Sequence, residues 1–289
     1  MPAQKQKRVL TIQDISCVGR CSLTVALPII SAAGIECSIL PTAVLSTHTG
    51  GFEGYTYRDL TADISPITEH WKSLGLKFDA IYTGYLGSFE QIELVSKIFD
   101  EFKAPGGTIL IDPVMGDNGS LYTGFTPEFA LGMAKLCAKA DVILPNLTEA
   151  AFMLGEPYRD EYSEEDIKAL LLRLYGLGVK EAAITGVTYK SGKLGVAGFD
   201  GKKVKTYFNK RIDGYYHGTG DIYASAFLAS YMKNGGKLFS AASKAAEFTV
   251  ACIKAKQKTG GEARYGVPFE LCLNKFTGSD DIIVIPTTM

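Results

Sequence analysis

Short, largely apolar runs alternate with longer stretches of helical spacing along most of this chain. That alternation restricts the fold more than any single residue does. The runs fall at 8–12, 35–44, 80–82, 108–111 and 142–144, with helical stretches at 22–33, 66–74, 88–102 and 127–138 between them. Short apolar runs without polar alternation belong to strands buried on both faces, and therefore to parallel strands joined by crossover helices. Gly34 closes the first helical stretch. The expected fold class is α/β, a mostly parallel central sheet with helices on both faces. Between 193 and 208 the pattern changes to two strands around Asp200-Gly201, an antiparallel hairpin. Further helices are expected at 148–154, 221–233 and 237–256. The polar, Gly-rich segment 46–57 reads as a loop. The segment 209–217 is either a lid or an ordinary exposed connection.

Several strands end in a polar or glycine-containing pair: Gln13-Asp14, Thr83-Gly84, Asp112-Pro113, Pro145-Asn146 and Thr185-Gly186. Ligands of open α/β sheets sit outside the carboxyl ends of the strands, so these five pairs are expected to converge on one edge.

Composition narrows the partners. The 289 residues are 46% hydrophobic and 21% charged, which excludes global disorder. Thirty Lys and Arg against 31 Asp and Glu give a net charge of −1 and no footprint for nucleic acid. No apolar run reaches the roughly 18 residues of a membrane span, and the polar, basic start does not read as a secretory signal. With no repeat and no linker, one domain over residues 1–289 is expected. Cys17 and Cys21 could offer two metal ligands one helical turn apart, but no second pair accompanies them. Six sparse cysteines read as free thiols in a reducing, cytoplasmic compartment.

Three motifs carry chemistry. Gly218-Thr219-Gly220-Asp221 opens an apolar helical run. A helix starting there directs unpaired N–H groups and the positive dipole end at an anion such as phosphate, and the glycines permit close approach. Asp221 is either a helix-capping acid or a general base beside that cradle. Asp112-Pro113-Val114-Met115-Gly116-Asp117 places two carboxylates just after a strand, suited to Mg²⁺ or to solvated turn positions. In Pro145-Asn146-Leu147-Thr148-Glu149, Asn146 suits an N-cap and Glu149 the first turn; both also suit a phosphate or a hydrated metal. No Gly-x4-Gly-Lys-Ser/Thr and no Gly-x-Gly-x-x-Gly after a strand occurs, so a phosphotransferase of P-loop or protein-kinase type is excluded.

These motifs, with Thr11-Ile12-Gln13, Ser46-Thr47-His48-Thr49-Gly50 and Thr83-Gly84-Tyr85-Leu86-Gly87-Ser88 in the same order, resemble the ribokinase superfamily. The resemblance is most specific to the vitamin B6 (pyridoxal, pyridoxine, pyridoxamine) kinases and covers about residues 9–230. It implies a three-layer ribokinase-like fold with a small antiparallel hairpin near the nucleotide site, and ATP-dependent phosphorylation of the vitamin's 5′-hydroxymethyl group. By resemblance Asp221 is the base, and the Gly218, Thr219 and Gly220 amides form the anion hole. Thr49 and Tyr85 line the ring pocket. Asp112, Asn146 and Glu149 organise ATP phosphates, with Asp112 and Glu149 at Mg²⁺. Thr185, Gly186 and Thr219 contact ATP, and Asp117 and Tyr122 fall on the nucleotide side. A K⁺ requirement and a homodimer are implied in the same way.

One position departs from the family pattern. Many B6 kinases carry serine after the Ile-Gln pair, where this chain has Asp14. An acid there could pair with the aminomethyl group of pyridoxamine and favour that vitamer, or simply cap the following turn. Hydroxymethylpyrimidine kinase of thiamine synthesis is the nearest alternative; its Gly-x-Asp-x-x-Gly-Gly run is missing around 13–20. Sugar kinases of the superfamily usually show an early Gly-Gly loop. A non-catalytic vitamin- or nucleotide-binding protein would not need Asp221 together with Asp112, Asn146 and Glu149.

Overall fold

A computed structural model describes residues 6–274. Its strands are β1 (Arg8–Val18), β2 (Glu36–Thr47), β3 (Tyr57–Asp59), β4 (Phe78–Thr83), β5 (Lys103–Ile111), β6 (Gly116–Asp117), β7 (Ser120–Leu121), β8 (Val142–Ile143), β9 (Glu181–Val187), β10 (Lys193–Phe199) and β11 (Val204–Lys210). Its helices are α1 (Leu23–Ala32), α2 (Thr61–Ser73), α3 (Phe89–Phe102), α4 (Pro127–Cys137), α5 (Leu147–Met153), α6 (Glu164–Gly176), α7 (Thr219–Lys233) and α8 (Leu238–Thr259). Residues 1–5 and 275–289 of the expected domain lie outside the described residues.

The main sheet runs β11-β10-β9-β8-β5-β4-β1-β2-β3. The strands from β2 through β9 in that order pair in parallel, while β3 and the β10–β11 hairpin add antiparallel edges. Alternate side chains of the central strands enter two separate cores. Leu10, Ile12, Ile81, Ile109, Ile111 and Ile143 pack under α2 to α6. Val9, Ala80, Tyr82, Leu110 and Val142 pack under α1, α7 and α8. Two-sided burial is what turns these strands into the unbroken apolar runs of the sequence, and the three-layer α/β expectation holds.

The chain leaves β1 for β2 on one side and later returns to place β4 on the other side of β1. The gap outside the carboxyl ends of β1 and β4 is therefore the topological switch point, the place where such sheets bind ligands.

Several local expectations are corrected. The first strand does not stop at Ile12; it runs on to Val18 because Ile15, Ser16 and Val18 stay paired with Val44, Leu45 and Thr47, beyond an irregularity between Gln13 and Ile15. Asp14 is thus a strand residue and not a turn cap, and Cys17 cannot lie one helical turn from Cys21. The expected loop 46–57 starts only after β2 ends at Thr47, and its far end is the edge strand β3. Helix α2 begins at Thr61, ahead of Pro66, and β5 begins at Lys103, directly after α3. The turn around Asp117 is a miniature antiparallel hairpin, β6–β7. Helix α6 is an addition to the expected elements; it starts in a Ser163/Asp166 capping box and buries Ile167, Leu170, Leu171 and Leu174. All six cysteines are free, and no described helix is long and apolar enough to cross a membrane.

The start of α7 is fixed by a close backbone contact. Gly218, its N-cap, has φ 73°, and a Cβ there would fall 1.9 Å from the Arg20 carbonyl oxygen. Arg20 is held in turn by Glu270, whose two carboxylate oxygens lie 2.8 and 3.0 Å from its Nε. It is a tie between the β1–α1 loop and the C-terminal region, not merely a surface charge. Gly218→Ala combines a left-handed torsion with a collision against backbone, so it should destabilise the fold by about 1–3 kcal/mol in urea unfolding. An unchanged midpoint would mean that this contact is not maintained in solution.

Candidate active site

Carboxylates from four parts of the sequence meet at the carboxyl edge of the sheet. Asp14 lies on β1, and Asp112 follows β5 with its N–H donating to the Thr83 carbonyl at 2.9 Å. Glu149 lies in the first turn of α5 and Asp221 in the first turn of α7. Asp14, Asp112 and Glu149 are 5%, 7% and 3% exposed, whereas Asp221 keeps some access to solvent.

Burial raises the proton affinity of all four, and neighbouring negative charge adds to it at Asp112, Glu149 and Asp221. Asp112 is pushed well up by burial, then by the charges of Glu149 and Asp221. Glu149 is also raised, chiefly by burial and against the pull of the Asn146 and Met115 amides. Asp221 is lifted to about 7 by burial, opposed by the Ser22 N–H and reinforced by the charge of Asp14. Burial raises Asp14 as well, against hydrogen bonds from the hydroxyls of Ser22 and Ser16; the Ser16 bond is 3.1 Å. Perturbed acids gathered at a switch point are the electrostatic signature of a working site.

The α7 terminus is open to an anion. No side chain caps the first turn, and the Thr219 hydroxyl is turned back to the Tyr216 carbonyl at 3.0 Å. Nothing lies within 4 Å of the position a Cβ of Gly220 would take. The side of Gly220 is therefore open, at the positive end of a 15-residue helix.

Asn146 and Glu149 form a capping box. Glu149 Oε2 accepts from the Asn146 N–H at 2.8 Å, and Asn146 Oδ1 accepts from the Glu149 N–H at 2.9 Å. The outer faces of both side chains hold the loop after Asp112. Glu149 Oε1 accepts from the Met115 N–H at 3.2 Å, and Asn146 Nδ2 donates to the Gly116 carbonyl at 2.8 Å. Both residues therefore brace the loop that carries Asp112 and Asp117, a structural duty beside any ligand they touch. Thr185 is bridged to Asn146, and the following Gly186 has φ 78° with open space where a Cβ would be. Tyr122 is 41% exposed, yet Glu149, Asp117, Tyr215 and Asp112 lie near enough for their charges to raise its hydroxyl further after burial.

On the other flank, Tyr85 faces Tyr57, Asp14 and Tyr55, and its ring lies 5.5 Å from Phe125. Thr49 is exposed on the β2–β3 loop. The neighbouring His48 is buried, with Nε2 2.6 Å from the Arg264 carbonyl and Nδ1 accepting from the Gly50 N–H at 3.1 Å. The connection before α7 covers both flanks: His217 lies 5.2 Å from His48, and Tyr215 neighbours Asp117. Tyr57, His217 and Ser22 join the site although the sequence reading does not single them out. Aromatic and His residues bordering the two Gly-containing loops are a usable signal for the first two, while nothing in the sequence marks Ser22.

For Mg²⁺ the donor set is incomplete by itself, since no group of three or more His, Cys, Asp or Glu among the described residues could hold a metal ion. Two buried, mutually repelling carboxylates, Asp112 and Glu149, still fit a cation whose other ligands are water and substrate phosphates.

Residues 28–266 match the Phosphomethylpyrimidine kinase family. A putative phosphomethylpyrimidine kinase from Bacteroides thetaiotaomicron superposes with TM-score 0.90 and 39% identity over 95% of each chain. A second crystal form of that protein, with pyridoxal, is 38% identical with TM-score 0.87 over 94% of this chain and 96% of that one. Pyridoxal kinase from Lactobacillus plantarum is 30% identical with TM-score 0.87, covering 95% of this chain and 98% of the other. Pyridoxine kinase of Bacillus subtilis is 32% identical over 68% of this chain and 69% of its own length. With the fold, the order of the motifs and these relatives in agreement, the chain belongs to the phosphomethylpyrimidine kinase family of the ribokinase superfamily, among its vitamin B6 kinases.

Proposed function

We propose that this protein transfers the γ-phosphoryl group of ATP to the 5′-hydroxymethyl group of a B6 vitamer, within a single ribokinase-like domain. The observation that carries the reading is Asp221 in the first turn of α7, beside uncapped amides and with Asp14 and Tyr85 on the vitamin flank. Pyridoxal present with the 38%-identical relative supports the same substrate class.

In this reading the amides of Gly218, Thr219 and Gly220 stabilise charge on the transferring phosphoryl group without reorganising, the helix dipole adding to them. Asp221 accepts the hydroxyl proton late, as the bond to phosphorus forms, so it need not ionise a free alcohol in advance. Asp112 and Glu149 hold Mg²⁺, which when bound neutralises the phosphate oxygens. Thr185, Gly186, Asn146, Asp117 and Tyr122 border ATP, while Thr49, Tyr85 and Asp14 border the pyridine ring. Residues 211–217, the part of that segment beyond β11, serve as the lid, His217 closing on the His48 side and Tyr215 on the Asp117 side. A carboxylate at 14 pairs best with a cationic aminomethyl group, so pyridoxamine is the favoured vitamer. The K⁺ requirement, the homodimer and the cytoplasmic setting follow from the family reading and the free thiols; activity in K⁺ against Na⁺ and solution mass test the first two.

A panel of pyridoxal, pyridoxine, pyridoxamine and hydroxymethylpyrimidine with Mg-ATP tests the substrate class. Preferred turnover of hydroxymethylpyrimidine would reassign the chain to the thiamine branch that shares its family. Asp14→Ser should lower the pyridoxamine-to-pyridoxal ratio of kcat/KM; an unchanged ratio removes Asp14 from vitamer choice.

Asp221→Asn should reduce kcat by roughly 10²–10⁴-fold with little change in ATP affinity. The same variant should gain stability at alkaline pH. The Asp221 carboxyl is raised from 3.8 to about 7 in the fold. Its contribution to stability is full below the unfolded value and is lost as pH climbs through about 7. Removing the charge removes that loss, so the ligand-free variant should melt higher than wild type at pH 8 but not at pH 4. In wild type, kcat/KM should fall on the acid side with a midpoint near 7. A variant with near-normal turnover, or equal melting shifts at both pH values, would count against the base.

A further inference from the structure

The backbone of Arg20, in the loop between β1 and α1, is gripped from two sides. A Cβ on Gly218, the N-cap of α7, would fall 1.9 Å from the Arg20 carbonyl oxygen. A Cβ on Gly266 would fall 3.1 Å from the same oxygen and 2.8 Å from the Arg20 Cβ. Both glycines have positive φ, 73° and 77°. The carbonyl therefore sits between two glycines, and neither accepts a side chain unless the chain around it moves.

The Arg20 side chain is held by the same C-terminal segment. Its Nε donates to Glu270 Oε1 and Oε2 at 2.8 and 3.0 Å, and its Nη1 donates to the Tyr265 carbonyl at 3.3 Å. The segment is itself fixed, because Val267, Phe269 and Cys272 are buried in the core under α1, α7 and α8. It holds the β2–β3 loop by separate contacts. The Arg264 carbonyl lies 2.6 Å from His48 Nε2, and the Tyr265 ring lies 5.3 Å from that of Phe52.

Stability does not account for the Arg20–Glu270 pair. The two side chains are 33% and 49% exposed, and ion pairs so open to water add little to it. What the pair does set is where a backbone carbonyl presses on the first residue of α7.

Resting on the vitamin kinase reading, we propose that Glu270 is a positioning residue for phosphoryl transfer. Through Arg20 it holds the β1–α1 loop against Gly218, and so fixes the start of α7 relative to Asp14 and Asp112 on the sheet edge. Donors that stabilise a transition state must be in place beforehand, and a slip of about 1 Å costs turnover heavily. ATP itself borders Asp112, Asn146, Thr185 and Gly186, so binding survives a slip that turnover does not. Glu270 touches neither substrate; it acts through Arg20.

The test is a double-mutant cycle on the full chain, with kcat, both KM values and melting temperatures measured with pyridoxal and Mg-ATP. Glu270→Ala should lower kcat roughly three- to tenfold, a fraction of what a full misplacement costs. Its KM for each substrate should change less than about twofold, as expected when only a transition-state interaction is lost. Its melting temperature should stay within about 3 °C of wild type. Glu270→Gln, isosteric and still an acceptor for Nε, should lose less than Glu270→Ala. In an Arg20→Ala background, Glu270→Ala should change kcat less than about twofold, because the donor is gone.

Wild-type kcat in Glu270→Ala, a loss carried by KM alone, or equal losses with and without Arg20 would overturn the positioning role while the kinase reading stands. A merely structural tie predicts a lower melting temperature with kcat unchanged. A wild-type protein inactive on every B6 vitamer would overturn the reading and the inference together.

Discussion

Desolvated negative charge at one sheet edge is the constraint around which the rest of this molecule is arranged. Taking a carboxylate out of water costs several kcal/mol unless donors or cations replace the lost hydration. Asp14, Asp112 and Glu149 are each less than a tenth exposed, with Asp221 beside them. Lys and Arg side chains do not serve as their partners; the ion pairs among the described residues join other acids. Backbone amides and a hydroxyl take that place where partners are seen: Asn146 and Met115 N–H at Glu149, and the Ser16 hydroxyl at Asp14. Such donors hold the acids without neutralising them, so the edge retains an appetite for cations and for protons.

The rigidity of the fold makes that arrangement possible. Each acid is attached to an element whose other side is locked in a core: β1 and β5 in the sheet, α5 under one layer, α7 under the other. The α7 terminus is indexed against the β1–α1 loop by the contact of Gly218 with the Arg20 carbonyl. Glu149 is indexed against the loop after Asp112 by its capping box. A carboxylate held this way gives up side-chain freedom once, during folding, and none when substrate arrives. Glu149 therefore cannot be sorted into a structural or a functional residue. The hydrogen bonds that orient it are those that support the neighbouring acid.

Much of this was legible in the sequence, for a definite reason. Burial on both faces writes parallel strands as apolar runs, and runs such as 80–82 and 108–111 fell on β4 and β5. Strand ends and helix starts then located Asp112, Asn146, Glu149 and Asp221 on one edge. What failed to show was set by tertiary pairing. The distal half of β1 is Asp14-Ile15-Ser16-Cys17-Val18, which has no apolar pattern and is a strand only because β2 runs beside it. Helix α6 did carry a signature, Ser163-x-x-Asp166 before leucines at helical spacing, but strand ends do not lead to it. The φ of 52° at Ser22 was invisible, because only glycine advertises a positive φ.

The two flanks of the site are also coupled electrostatically. Burial is the largest influence raising Asp221, and the charge of Asp14 adds to it. A serine in place of Asp14 would leave the base raised by burial alone. A stronger base accepts a larger share of the proton in the transition state, provided that it is ionised at the working pH. In the proposed reading Asp14 acts on the vitamin ring and on the proton acceptor at once, and a cationic vitamer that neutralises it would return part of that elevation. Substrate charge and base strength are, in that reading, linked through one side chain, and vitamer preference belongs to the pair Asp14 and Asp221 as well as to the ring pocket.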